Sequence, residues 1–295
     1  MPASQGSMRA ILFAMAGFAL WVMSDSCMKL AGEANLPSYE VVGILGAVAA
    51  LSLALFHGSQ GKLKDLWPKK PGKQIGRALM TFGCVMANTF ALKHLPFTLF
   101  YVVVFCSPFV TMILASLFLR ERINWPMVAA IIAGFAGVVI AIAPWSATAS
   151  GDWIGYCAGG LSVLFFAVAT VMMRHMTQTE TPQSMTFMTG LVEGTIGFCL
   201  MLLHGVPIAP MILFILIVMG LFNVLGNLCN CTALRMTTAA TVEQFHYTQI
   251  ITGALIGYII WHEVPTEHLL IGAAVIIGSG LYVAHGHYKS GHAIS

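Results

Sequence analysis

Apolar residues run along this chain in ten blocks, at about 8–29, 38–57, 74–93, 97–119, 126–144, 153–174, 184–204, 210–233, 239–261 and 266–285. Each is close to the roughly 20 residues an α-helix needs to cross a bilayer. The breaks between them carry turn or charge signals: Asn35-Leu36-Pro37, Trp67-Pro68, Leu95-Pro96, Arg120-Glu121-Arg122, Thr181-Pro182, Val206-Pro207 and Val264-Pro265. The pattern predicts an all-α polytopic membrane protein with ten transmembrane helices. Trp153, Tyr156 and Trp261 fall near span ends, where amphipathic rings favour the lipid–water interface. The first run reads as a retained span rather than a leader. It is long, contains Asp25 and ends in Met28-Lys29 without a small-residue cleavage site.

Composition narrows the function classes. Hydrophobic residues make up 58% of the 295 and charged residues 8%, against about 25% charged in soluble domains. Such a chain cannot cover its own surface in water, which excludes a soluble enzyme, a nucleic-acid binder and a disordered regulator. The net charge of +3 says little, but its placement sets an orientation. With the N-terminus in the cytoplasm, twelve of the fourteen Lys and Arg face inward: Arg9, six in the 62–77 cluster, Arg120, Arg122, Arg174, Arg235 and Lys289. Lys29 and Lys93 face outward. Cationic loops stay on the cytoplasmic side, so both termini are expected there. The seven cysteines all lie in apolar runs and read as packing residues rather than a disulfide framework or metal site. No metal, cofactor, phosphate-binding loop or nucleophile elbow is expected.

An internal repeat follows. A shift of 142 places Ala91-Leu92-Lys93 on Ala233-Leu234-Arg235, and Glu121 on Glu263. Met28-Lys29 falls on Met173-Arg174 at a shift of 145. Pro126 and Pro265 follow the two glutamates, and glycine-bearing spans come next. Five spans per half is an odd number, so the second half enters the membrane upside down. The expected domains are two inverted five-helix repeats, 1–146 and 147–295, an arrangement common among secondary transporters. Pro108, in the fourth span, falls on Ile250 in the ninth, so those two spans are expected to bend differently.

These features carry a resemblance. The five-plus-five plan, Glu121 and Glu263 before the last span of each half, the glycine-rich fifth and tenth spans and Asp25-x-x-x-Lys29 together resemble the EamA-like branch of the drug/metabolite transporter superfamily. The resemblance covers nearly the whole chain. It implies a central cavity with the fifth and tenth helices at the periphery, and a bacterial inner membrane. It leaves the substrate open.

Polar residues inside apolar spans are the candidate chemistry, because a charge near the bilayer centre costs roughly 2.5–3.5 kcal/mol. Glu193 is the deepest, and Gly190, Gly194 and Gly197 beside it permit close helix approach. It is either a proton-titrating carboxylate, an anchor for a substrate amine, or a protonated packing group. Glu243, His246 and Tyr247 share a helical neighbourhood in the ninth span, where an acid also complements the helix dipole. Asp25 and Lys29, at i and i+4, form either a local salt bridge or an outer gate. Asn223, Asn227 and Asn230 make one polar stripe, and Asn88 is its counterpart in the first half. The expected substrate site is Trp21, Asn88, Tyr101, Glu193, Asn223, Asn227, Glu243 and Tyr247. The expected proton-coupling or gating set is Asp25, Lys29, Glu193, Glu243 and His246. The function expected is secondary transport of a small organic metabolite, with amino acids, amines or related zwitterions first, as monomer or homodimer. A channel or lipid-moving protein is the alternative. An intramembrane enzyme has no nucleophile and base in register, since nothing in the sequence aligns Ser24 and Asp25 of the first span with His246 of the ninth.

Overall fold

The computed structural model describes residues 3–34, 36–119, 125–142, 152–237, 239–264 and 266–291. The helices are α1 (Ala3–Glu33), α2 (Ser38–Ser59), α3 (Pro71–His94), α4 (Phe97–Val104), α5 (Ser107–Leu119), α6 (Trp125–Ile142), α7 (Trp153–Met176), α8 (Pro182–His204), α9 (Pro210–Met236), α10 (Ala239–Gln244), α11 (Thr248–Trp261) and α12 (Glu267–Gly291). Two short 3-10 turns, Leu63–Leu66 and Phe245–Tyr247, join them, and no strand occurs among the described residues. Seven stretches of the described residues are long and apolar enough to cross a membrane. Shorter apolar helices at Ile132–Ala141, Thr252–Trp261 and Glu267–Ser279 occupy the remaining apolar blocks. Glu121 and the boundary between residues 146 and 147 lie outside the described residues.

Local chemistry sets the helix starts. Pro71, Pro182 and Pro210 stand in the first turn of their helices, where a missing N–H costs nothing. Asp152 caps α7 by accepting from the Ile154 N–H at 3.2 Å, and Thr181 caps α8 by accepting from the Ser184 N–H at 3.1 Å.

The fourth apolar block is two helices. Pro108 cannot donate to the carbonyl of Val104, four residues back. The hydroxyl of Ser107 donates to that carbonyl instead, and the chain turns at Phe105-Cys106. The ninth block, expected to run on without a proline, is interrupted too. A 3-10 turn at Phe245–Tyr247 breaks it, and the Thr248 hydroxyl donates to the Phe245 carbonyl at 2.7 Å. The breaks sit at corresponding places, and a hydroxyl bonds a carbonyl three residues back at each. In lipid a freed carbonyl must find a donor, and Ser or Thr supplies one locally.

Four helix pairs pack most extensively: α1 on α9, α2 on α8, α3 on α7, and α6 on α12. The α2–α8 seam is the tightest. A Cβ added at Gly46 would lie 2.2 Å from the Gly194 amide nitrogen, and one at Gly197 would lie 2.2 Å from the Gly43 Cα. Only glycine admits backbones this close.

Carboxylates staple distant segments together. Glu40 on α2 accepts from the Val206 N–H at 2.6 Å. Glu180, before α8, accepts from the Lys70 N–H at 2.8 Å and the Lys69 N–H at 3.1 Å. Glu263, before α12, accepts from the Phe97 N–H at the start of α4, at 2.7 Å. The same oxygen of Glu263 is 2.7 Å from the Lys29 ammonium. That overturns the expected local pair: Lys29 bonds Glu263, and Asp25 accepts a hydrogen bond from Tyr101. The physical reason is reach. Lys29 also lies over the rings of Trp261 (4.5 Å) and Phe97 (5.6 Å), whose faces favour a cation.

Two outcomes follow. Gly46→Leu is expected to lower the melting temperature of the detergent-purified protein by several degrees, since overpacking costs about 1–3 kcal/mol or more. Gly160→Ala, whose added carbon meets nothing within 4 Å, is expected to leave stability unchanged or raise it by up to about 1 kcal/mol, since alanine is the better helix former; equal losses would contradict the seam. In a double-mutant cycle read by thermal stability, Lys29→Met and Glu263→Gln are expected to couple by about 1–3 kcal/mol. Lys29→Met and Asp25→Asn are expected to be additive, and the reverse pattern would restore the local pair.

Candidate functional site

A central cavity opens where α1, α3, α4, α7 and α9 meet the two helix breaks. Its empty volume is about 920 Å³, the open mouth included. α1 contributes Trp21, Asp25 and Met28, and α3 contributes Thr81, Cys84 and Asn88. α7 presents Ser162, Phe166, Thr170 and Met173 on one face, and α9 presents Asn223, Asn227 and Asn230. Phe100, Ser107, His246 and Gln249 complete the wall.

The electrostatics are lopsided. Among the described lining residues, Asp25 is the one carboxylate, and no Lys or Arg stands beside it. Lys29, one turn away, is committed to Glu263. The Asp25 carboxylate accepts from the Tyr101 hydroxyl at 2.7 Å. Tyr101 is itself buried, with its ring against Gly253. When ionised, this carboxylate has no counter-charge among the described lining residues, so it could attract a positive ligand.

Hydrogen-bonding capacity is left over. The Trp21 indole N–H, the Asn88 amide oxygen and the Gln249 amide oxygen are buried without a protein partner. The Gln249 amide nitrogen donates to the Phe18 carbonyl at 2.9 Å. Asn227 donates to the Asn223 side-chain oxygen at 2.7 Å, which fixes the stripe. Trp21 and Phe166 meet edge to face, with centroids 5.9 Å apart. His246 stacks on Phe18 at 4.4 Å, and its Nδ1 lies 3.1 Å from the Glu243 carboxylate. Flat apolar walls with scattered donors and acceptors suit a heteroaromatic ring.

The expected site residues divide into groups. Trp21, Asn88, Asn223 and Asn227 line the cavity, and so do Asp25 and His246 from the gating set. Tyr101 and Glu243 stand one layer behind, each bonded to a lining residue. Glu193 does not join them. It is buried on the α2–α8 seam, near Arg77. Lys29 lies apart from the cavity, in a separate cleft with Glu33, Lys93 and Glu263. Of Tyr247 only the backbone is described, and its side chain lies outside the described residues. Sequence reasoning passed over the α7 face and Gln249. The spacing of Ser162, Phe166 and Thr170 at i, i+4 and i+8 was the available signal.

Comparison with known proteins agrees along the whole chain. An S-adenosylmethionine uptake transporter of Rickettsia conorii is 24% identical over 287 residues, covering 96% of each chain. A riboflavin transporter of Brucella anthropi is 26% identical over 228 residues, covering 72% of this chain and 76% of its own. A riboflavin transporter of Vibrio cholerae is 22% identical, covering 95% and 94%. A solved crystal structure shares the fold with a TM-score of 0.73 at 16% identity, covering 95% of this chain and 98% of its own. The model of the EamA-like transporter family matches residues 8–143 and again residues 153–284. This multi-pass chain therefore belongs to the EamA-like transporter family.

Proposed function

We propose that the chain is a secondary transporter of a small, positively charged metabolite bearing a flat ring. The observation that carries this reading is the Asp25 carboxylate, set in an aromatic and amide-lined cavity whose described wall holds no Lys or Arg. S-adenosylmethionine, for which the Rickettsia relative is named, combines a sulfonium cation with a purine. Riboflavin, for which the Brucella and Vibrio relatives are named, carries a flat fused-ring system. Asp25 would face the cation, Trp21 and Phe166 the ring, and Asn88, Asn223 and Asn227 its polar edge. Free amino acids, the first expectation from sequence, find no support in the relatives' names.

Transport runs by alternating access between two inverted halves, 1–146 and 147–295. The packing supports this. Exchanging the halves turns the α1–α9 pair into α7–α3 and returns α2–α8 and α6–α12 to themselves. Two successive matches to one family model support it as well. Breaks at corresponding places in the fourth and ninth spans supply the flexible points. Lys29, Glu263, Phe97 and Trp261 close the outer end of the cavity, and substrate release to that side breaks the ion pair. The excess of Lys and Arg in one set of loops supports both termini in the cytoplasm, in a bacterial inner membrane, with the protein as monomer or homodimer. Proton coupling falls to Glu193 or to the Glu243–His246 pair. The relatives' names do not favour a channel or lipid-moving role.

Thermal stabilisation of the purified protein tests the substrate class. A ligand at 100 times its Kd adds about 2.7 kcal/mol. S-adenosylmethionine is expected to raise the melting temperature of the wild type, free methionine to leave it unchanged, and Asp25→Asn to weaken the effect at least tenfold. Equal stabilisation of the wild type and Asp25→Asn would remove Asp25 from the binding site.

A further inference from the structure

A second buried polar group lies apart from the cavity, between the inner ends of α3 and α8. Gln74, Arg77, Thr81, Cys84 and Asn88 occupy one face of α3 at intervals of three and four. The last three line the cavity. The first two are buried below it, at 0% and 1% exposure. The Arg77 Nη2 donates to the Met185 carbonyl and to the Thr189 hydroxyl, both at 2.6 Å, which draws α8 against this face. Arg77 also interacts electrostatically with Glu193, one turn beyond Thr189 on α8. No ion pair within 4 Å joins them.

Several atoms here have no protein partner: both side-chain atoms of Gln74, Nε of Arg77, the hydroxyl of Ser184 and Oε1 of Glu193. The set mixes donors (Arg77 Nε, Gln74 Nε2) with acceptors (Glu193 Oε1, Gln74 Oε1) and a hydroxyl that is both. A bound anion would satisfy the donors alone, and a bound cation the acceptors alone. Water satisfies both kinds, and a buried water makes about three such bonds. In sequence Arg77 counts among the inward-facing cations of the 62–77 cluster, and here it is buried.

The geometry points to a hydrated column between α3 and α8 that delivers a proton from the inner end of the bundle to Oε1 of Glu193. Glu193 is then the coupling carboxylate, and Asp25 is kept for the substrate. The proposal rests on the transporter reading for its purpose, not for its measurement. Gln74 and Ser184, both buried, form the inner end of the column, near the clamp of Glu180 on Lys69 and Lys70. The groups that bear on Glu193 come from three sides. α3 brings Arg77 and Cys84, and α9 brings Cys231 beside Arg77. α2 brings only Gly46 and its small neighbours. The turn Leu63–Leu66 carries Lys64 and Asp65, both exposed. Cys84 lines the cavity and interacts electrostatically with both Asp25 and Glu193.

pH-difference infrared spectroscopy of the full chain in lipid vesicles reads carboxyl protonation without a substrate. The wild type is expected to show a protonated-carboxyl band that is lost in Glu193→Gln and kept in Asp25→Asn. After a pH jump, the Gln74→Leu, Ser184→Ala double variant is expected to gain the band at least tenfold more slowly, with its final size unchanged. These two substitutions leave Arg77 and Glu193 in place. A band that survives Glu193→Gln would overturn the site. A double variant as fast as the wild type would overturn the column. A blank ligand screen beside a titrating Glu193 would sink the substrate class and leave this assignment standing.

Discussion

Glu263 meets two demands with one oxygen. It accepts from the first backbone N–H of α4, and it holds the ammonium of Lys29. Both demands come from the membrane. A helix start leaves backbone donors without partners, and lipid supplies none. A lysine within the bundle needs a counter-charge. By meeting both, Glu263 ties α1, the start of α4 and the segment before α12 at one point. Much of the site depends on this. Were Lys29 bonded to Asp25, one turn away on α1, the carboxylate in the cavity would be neutralised from within. With Lys29 held at Glu263, the Asp25 carboxylate keeps only its bond from Tyr101, which is what the proposed substrate role needs.

The same logic recurs wherever the chain must break or turn. Glu40 and Glu180 accept from backbone amides of segments far away in sequence. Ser107 and Thr248 satisfy carbonyls at the two helix breaks. These contacts are local and directional, so they can be exchanged one at a time. The glycine seam between α2 and α8 cannot, because its backbones are already at contact distance. The molecule thus combines a close-packed glycine seam with two interrupted helices, the combination on which the proposed carrier mechanism rests.

The apolar blocks and their length were plain from hydropathy, because lipid imposes one period and one length on every span. The asparagine stripe and Asn88 were legible because amides have few other uses in an apolar helix. Three features were not. The break of the ninth span has no proline, so nothing local marks it. The pairing of Lys29 with Glu263 spans 234 residues, and i,i+4 spacing on one helix pointed to Asp25 instead. The place of Glu193 depends on how α8 is rotated. Its glycines indicated close packing, but they could not say that the carboxylate sits on that seam and not in the cavity. Each miss is a matter of tertiary placement.

Counterflow in proteoliposomes tests the central claim most directly. Vesicles loaded with unlabelled S-adenosylmethionine are diluted into a trace of labelled compound. A carrier that exposes Asp25 alternately to each side accumulates label transiently above equilibrium, and the Asp25→Asn protein does not. Simple equilibration without overshoot would indicate a channel. An overshoot of equal size in Asp25→Asn would show that the cavity carboxylate does not bind the transported molecule.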